Sequence, residues 1–300
     1  MPSRYNPRTM TDQYAVIGHP IAHSKSPLIH QMFAEQTGQD IRYTAIDSPL
    51  DGFAATIERL REAGYQGCNV TVPFKFEAFQ LATRLSERAQ AAQAVNTLKF
   101  DGDTILGDNT DGAGLVRDIQ HNLGILLKDK RVLLIGAGGA AYGVALPLVH
   151  ARVFLNILNR TEQKAKALKK SLLQALERSR SPAIFDAIKQ PSSKVDVYSL
   201  MNEGQPFDVV INATSAGLTD SEIPLPPGIF APHALAYDMM YGRDTPFMKF
   251  SRAQGAQVAD GLGMLVEQAA EAFYLWRGVR PDTAPVIAAL RQLCQVPPSC

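Results

Sequence analysis

The chain has 300 residues, 46% hydrophobic and 20% charged, which excludes general disorder and favours two globular cores over one. Thirty Lys and Arg against twenty-nine Asp and Glu leave a formal net charge of +1, so no overall field draws the protein to nucleic acid or to an anionic membrane. No stretch reaches the roughly 18 consecutive apolar residues of a membrane span. Cys68, Cys294 and Cys300 have neither disulfide-framework nor zinc spacing, so reduced thiols, a cytoplasmic location and no metal are expected.

In chain order, the polar or Pro-rich ends, 1–13 and 295–300, are expected to be poorly ordered. From Tyr14 an apolar strand (YAVIG) leads through a Pro- and Ser-rich loop to a helix over about 27–36. A strand (IRYTAID), a helix over about 50–63 and a strand (GCNVTVP) make the pattern repeated β-α-β. Two helical stretches are predicted over 76–95, and TLKFDGDTILGD reads as two short strands about an Asp-Gly turn. A first domain therefore ends near Asp111.

A helix over about 112–122 precedes KRVLLIGAGGAAYGVAL, where an apolar strand stops at a glycine cluster and a small-residue helix begins. Further apolar strands at VFLNILN, VDVYSL, FDVVINAT, LAYDMMY and AQVAD predict a doubly wound parallel sheet. The charged, Pro-interrupted segment 169–194 reads as a long surface connection. After Gly261 only helices are predicted, over about 264–276 and 282–293, and they are expected to pack back on the first domain. The fold class is thus α/β, with residues 1–111 and 261–300 in one domain and 112–260 in the other.

Gly136, Ala137, Gly138, Gly139 and Ala140 form the turn between an apolar strand and a helix, the place where a dinucleotide fold binds pyrophosphate. Gly136 permits the tight turn, Gly138 lets backbone approach the phosphates, and small residues behind them let helix and strand pack closely. An acidic residue at the end of the next strand would repel a 2′-phosphate, but the chain has Asn159, Arg160 and Thr161 there, with Lys164 one helical turn on. The expected cofactor is therefore NADP rather than NAD. Arg160 and Lys164 also suit a solvated helix start.

Ser24, Ser26 and Pro27 read structurally as a helix entry, with Ser26 at the N-cap. Two hydroxyls at a helix N-terminus also suit a substrate carboxylate. Lys75 follows the strand GCNVTVP, where an ammonium can supply the proton that a ketone needs after hydride addition. Asp111, in GDNTDG, can orient that ammonium or cap the helix that follows. The residues alone point to hydride transfer on a small hydroxylated carboxylic acid. His19, His23 and His30 have no metal spacing or paired partner and are given ordinary polar or helix-facing roles.

The ordered series of Ser24-Lys25-Ser26-Pro27, NVTVPFK (69–75), AVNT (94–97), GDNTDG (107–112), GAGGA, NRT, NATSAG (212–217), DMMY (238–241) and DGLGMLVEQAA (260–270) resembles the shikimate dehydrogenase family over about residues 14–293. The resemblance implies an N-terminal α/β substrate domain, a Rossmann-like NADP-binding domain and a cleft between them. It implies reversible NADP-dependent reduction of 3-dehydroshikimate to shikimate, on the route to chorismate and the aromatic amino acids. It assigns the substrate to Ser24, Ser26, Thr71, Asn96, Asp111, Tyr241 and Gln268, and proton transfer to Lys75 partnered by Asp111. It places Gly136–Ala140, Asn159–Lys164, Met239 and Gly261 around NADP. Gln93 stands where the family often has glycine, a departure that bears on the backbone beside Asn96. Two alternatives share the resemblance: a quinate/shikimate dehydrogenase of broader substrate and cofactor use, and a non-catalytic NADP-binding regulatory relative. Nothing in the sequence excludes self-association.

Overall fold

The structure is a computed structural model and describes residues 11–178, 195–198, 205–216 and 221–295. Most of the segment 169–194 and both predicted loose ends lie outside the described residues, except for residues 169–178, 11–13 and 295.

The first half alternates β1 (Asp12–Gly18), α1 (Ser26–Thr37), β2 (Ile41–Asp47), α2 (Phe53–Glu62) and β3 (Tyr65–Val70). It continues through α3 (Lys75–Leu81), β4 (Arg84–Leu85), α4 (Glu87–Ala92), β5 (Thr97–Asp101) and β6 (Thr104–Asp108). These strands form one sheet in the order β2-β1-β3-β5-β6-β4. The first three run parallel, as the intervening helices require, and β5 and β6 form the antiparallel hairpin that the Asp-Gly turn predicts. Register then does something the pattern alone does not announce. Asn69 on β3 stands opposite Thr97 on β5, and Thr97 opposite Asp108 on β6, so three polar residues line up across one edge of an apolar sheet.

The second half carries α5 (Asp111–Arg117) with a π-helical turn (Asp118–Asn122), then β7 (Arg131–Ile135), α6 (Gly139–His150), β8 (Phe154–Leu158), α7 (Glu162–Arg178), β9 (Val195–Val197) and β10 (Phe207–Asn212). β11 (Phe230–Asp238), α8 (Pro246–Ala253) and β12 (Gln257–Asp260) complete it. All six strands are parallel in the order β12-β11-β10-β7-β8-β9. The strand order reverses between β7 and β10, so a crevice opens at their carboxyl ends, where Gly136 and Ala213 begin their loops. The near-continuous apolar runs follow from burial on both faces: Leu133 and Ile135 join one core cluster, Val132 and Leu134 the other.

The last helices, α9 (Leu262–Arg277) and α10 (Ala284–Gln295), return to the first sheet as expected. Val266, Ala270 and Phe273 of α9 and Leu290 of α10 pack on Ile29 and Phe33 of α1. No described helix is long and apolar enough to cross a membrane.

Several element bounds need correction. Over 76–95 two short helices are separated by the two-residue β4, too short to show alternation, and the helix ends at Ala92 rather than running on to Val95. Gln93 itself adopts the left-handed conformation, φ 51°, that closes α4, so a side-chain residue makes the turn that glycine makes with less strain. The helix expected over 112–122 loosens into the π-helical turn after Arg117. Residues 169–178 are not connection but the end of α7, whose buried Ala165, Leu168, Leu172, Ala175 and Leu176 recur at helical spacing. Neither Ser26 nor Asp111 is an N-cap. Each is the first residue of its helix, following Lys25 and Thr110, because Ser24 Oγ already accepts the Ser26 N–H at 3.3 Å and Asn109 Oδ1 the Asp111 N–H at 3.2 Å.

Candidate active site

The carboxyl ends of β1 and β3 are tied together by backbone hydrogen bonds, Thr71 N–H to Ile17 at 2.9 Å and His19 N–H to Val72 at 3.1 Å. The loops that follow therefore bring 19–25 beside 71–74. Ser24 is half-buried and Ser26 buried at the start of α1, while Thr71 packs its methyl toward Gly18. Phe74 is buried and stacks on Phe53 with ring centroids 5.0 Å apart, which anchors the first turn of α3 and sets the stem of Lys75.

Lys75 Nζ donates to Asp111 Oδ2 at 2.7 Å, and their side chains are 27% and 13% exposed. Asn96 holds the other side of the carboxylate, its Nδ2 donating to Asp111 Oδ1 at 2.8 Å. The orientation of that amide is determined by its neighbours: Asn96 Oδ1 accepts from the Thr110 N–H and the Thr97 hydroxyl, both at 2.9 Å. Gln268, reaching in from α9, places Oε1 3.4 Å from Asn96 Nδ2 and donates its own amide to the Leu265 carbonyl at 2.8 Å. Below this layer, Asp108 accepts from Arg88 at 2.6 Å and from the Asn109 N–H at 2.7 Å, fixing the GDNTDG loop. Burial alone would raise the Asp108 carboxyl, but Arg88 beside it holds it below the usual carboxylate range.

Tyr43, Asn69, Thr97 and Thr110 complete the site and were not among the predicted residues. Tyr43 OH donates to Asn69 Oδ1 at 2.7 Å, and Asn69 Nδ2 donates to Thr97 Oγ1 at 3.0 Å and to the Asn96 carbonyl at 3.2 Å. Burial of Tyr43 pushes its phenol pKa well up, so it stays a donor. A continuous chain of hydrogen bonds thus links Tyr43 to Asp111 through Asn69, Thr97 and Asn96. The available signal was a polar Asn69 inside an apolar strand.

Across the cleft, Gly136 has φ 113°, and a Cβ there would stand 3.2 Å from the Ala213 backbone, so the turn after β7 needs glycine. Gly138 stands at the N-cap of the twelve-residue α6, with no side-chain cap and nothing within 4 Å of where a Cβ would lie. Gly138, Gly139 and Ala140 are exposed and Ala137 half-buried, leaving free backbone N–H groups at a helix N-terminus, which fits a pyrophosphate. Asn159 Nδ2 donates to the Thr161 carbonyl at 2.9 Å, and Arg160, Thr161 and Lys164 are exposed around it, three donors that fit a dianionic phosphate.

Met239 and Tyr241 follow β11. Gly261 approaches the Met239 carbonyl so closely that a Cβ would stand 2.2 Å from its oxygen, so α9 starts against this loop only with glycine there. Tyr241 is half-buried and packs on the α1–α9 cluster, reaching from the second sheet to the first. Lys75, Asp111, Asn96 and Gln268 are therefore brought into one contact set. Ser24, Ser26 and Thr71 border it, and the predicted nucleotide residues lie along the second sheet's crevice. Among the described residues, no group of three or more His, Cys, Asp or Glu can hold a metal ion.

Three family profiles match in chain order: shikimate dehydrogenase substrate binding domain over residues 16–98, shikimate / quinate 5-dehydrogenase over 118–219, and shikimate 5′-dehydrogenase C-terminal domain over 261–291. The shikimate dehydrogenase (NADP(+)) of Methylobacillus flagellatus is 59% identical over 282 residues, covering 93% of this chain and 99% of the relative. Among solved structures, an Ael1 enzyme from Pseudomonas putida has a TM-score of 0.82 and 46% identity, with coverage of 96% of this chain and 100% of that one. Shikimate 5-dehydrogenase from Thermus thermophilus, in complex with NADP(H) and shikimate, has a TM-score of 0.79 and 33% identity, with 94% and 99% coverage. With sequence matched over nearly the whole chain and a matched fold, the chain belongs to the shikimate dehydrogenase family.

Proposed function

We propose that this protein is a shikimate dehydrogenase that interconverts 3-dehydroshikimate and shikimate with NADP in chorismate and aromatic amino acid biosynthesis. The observation that carries the reading is the 2.7 Å contact of Lys75 with Asp111, braced by Asn96 at the mouth of a glycine-lined dinucleotide crevice. When bound, NADPH supplies a hydride to the ring ketone.

The chain's own residues do the rest. As negative charge develops on the former carbonyl oxygen, the Lys75 ammonium donates a proton to it, so the O–H bond forms as an N–H bond breaks. Asp111 holds Nζ in place and, with Asn96, accepts or donates to the neighbouring ring hydroxyls. In the oxidative direction the Lys75 amine takes the hydroxyl proton back, and its partial exposure lets it exchange protons with solvent. Ser24 and Ser26 receive the substrate carboxylate at the N-terminus of α1, and Thr71, Tyr241 and Gln268 fix the ring. Residues 1–111 and 261–300 serve as the substrate domain and 112–260 as the cofactor domain. We assign the protein to the cytoplasm, where thiols such as the buried, free Cys68 stay reduced.

Arg160 is assigned to the 2′-phosphate of NADP, so Arg160→Ala is expected to lower kcat/KM for NADP⁺ about tenfold while kcat/KM for NAD⁺ stays within about twofold. Steady-state kinetics with both cofactors at saturating shikimate check this. An unchanged cofactor ratio would remove Arg160 from the phosphate site.

A further inference from the structure

Two large apolar side chains beside Lys75 have no structural reason to face water. Val72 is 66% exposed and Phe76 57% exposed, whereas Phe74 and Ala78, on the other side of the same short segment, are fully buried. Because Phe74 is locked under Phe53, Phe76 on the first turn of α3 is turned outward into the cleft and cannot rotate into the core. The ring meets the opposite wall: its Cζ lies 3.9 Å from the position a Cβ on Gly139 would occupy. Exposed apolar groups facing a crevice mark a contact surface.

What passes between these walls follows from the proposed function, on which this inference rests. The pyrophosphate belongs at Gly138 and Gly139, and the reacting carbon belongs beside Lys75. The nicotinamide riboside is the part of the cofactor that must join those two points. Phe76 adjoins Lys75 in sequence and Gly139 in space, so it stands over that span. We propose that Phe76 is a positioning residue for hydride transfer, its ring covering the nicotinamide riboside from the substrate side.

The test separates the two halves of the cofactor by calorimetric titration, with no turnover involved. Phe76→Ala is expected to raise the Kd for NADP⁺ about three- to tenfold and to leave the Kd for adenosine 2′,5′-bisphosphate, which lacks the nicotinamide half, unchanged. Phe76→Leu keeps apolar area and is expected to recover part of the loss. In kinetics the KM for NADP⁺ rises while that for shikimate stays, and the thermal midpoint stays within about 1 °C because the ring buries little on folding. Equal Kd values for NADP⁺ in wild type and Phe76→Ala, or equal losses for both ligands, would overturn the proposal. A wild-type protein that binds adenosine 2′,5′-bisphosphate but not NADP⁺ also overturns it, whereas one that binds neither overturns the cofactor reading beneath it.

Discussion

Replacing Lys75 by Ala is expected to reduce turnover of shikimate with NADP⁺ by at least about 10²-fold, or about 2.7 kcal/mol of barrier, with the fold intact. The size follows from what the ammonium does in the geometry described. It is the only cation bonded to Asp111 among the described residues, at 2.7 Å, and it stands on the first turn of α3 with its side chain 27% exposed. Its removal leaves the alkoxide with no proton donor of matched position, so the loss falls on kcat more than on KM. Circular dichroism and thermal melts establish that the variant folds. Turnover near the wild-type rate would show that another group supplies the proton and that the Lys75–Asp111 pair is structural.

A second large effect concerns stability in acid. His30 lies fully buried in α1, its ring stacked on Tyr43 with centroids 4.1 Å apart and enclosed by Phe33, Phe273 and Trp276. Neither ring nitrogen makes a hydrogen bond of ordinary geometry. Burial pushes the imidazole down to about 3, with the nearby Asn69 amide pulling weakly the other way.

The unfolded chain, with an ordinary His pKa of about 6.5, gains a proton below that pH while the native state does not. Stability from this group is thus unaffected above about pH 6.5 and falls as pH drops toward 3, by about 1.4 kcal/mol per unit, or roughly 2.7 kcal/mol by pH 4.5. Tyr43, the titratable group facing the ring, is pushed up by burial and stays neutral throughout this window. Carboxylates such as Asp108, held low by Arg88, lose their contribution only at still lower pH.

Urea unfolding at pH 7 and 4.5 is expected to show this loss in the wild type and its disappearance from the difference in His30→Phe, whose ring suits the same aromatic cage. An identical pH slope in both proteins would mean that His30 takes up a proton in the native state.

The two sheets, the glycine turn and the returning helices were legible as structure because each rests on local pattern: apolar runs of strand length, GAGGAA at a strand end, and apolar helical faces with no strand between them. Lys75, Asp111, Asn96 and Gln268 were legible mainly through ordered resemblance, since their spacings alone carry little chemistry. Tyr43, Asn69 and Thr97 were missed for a physical reason. Their partners lie 26 and 28 residues apart: Tyr43 on β2 reaches Asn69 on β3 across β1, and Asn69 meets Thr97 because β3 and β5 pair with the two opposite, registers no local signal sets. His30 was given an ordinary polar or helix-facing role, yet Ser26, Ile29, His30 and Phe33 share one helical face, and that spacing already turns it inward. The π-helical turn at 118–122 and the two-residue β4 have no composition of their own. They are imposed by packing against what surrounds them.

Nicotinamide absorbance followed with purified protein against shikimate or quinate, each with NADP⁺ or NAD⁺, tests the pairing of one substrate with one cofactor. The site described here predicts turnover with shikimate and NADP⁺ at least about tenfold above every other combination, because Arg160 and its neighbours favour the 2′-phosphate. Comparable turnover with quinate or NAD⁺ contradicts that specificity, and no turnover with any pair contradicts the enzyme itself.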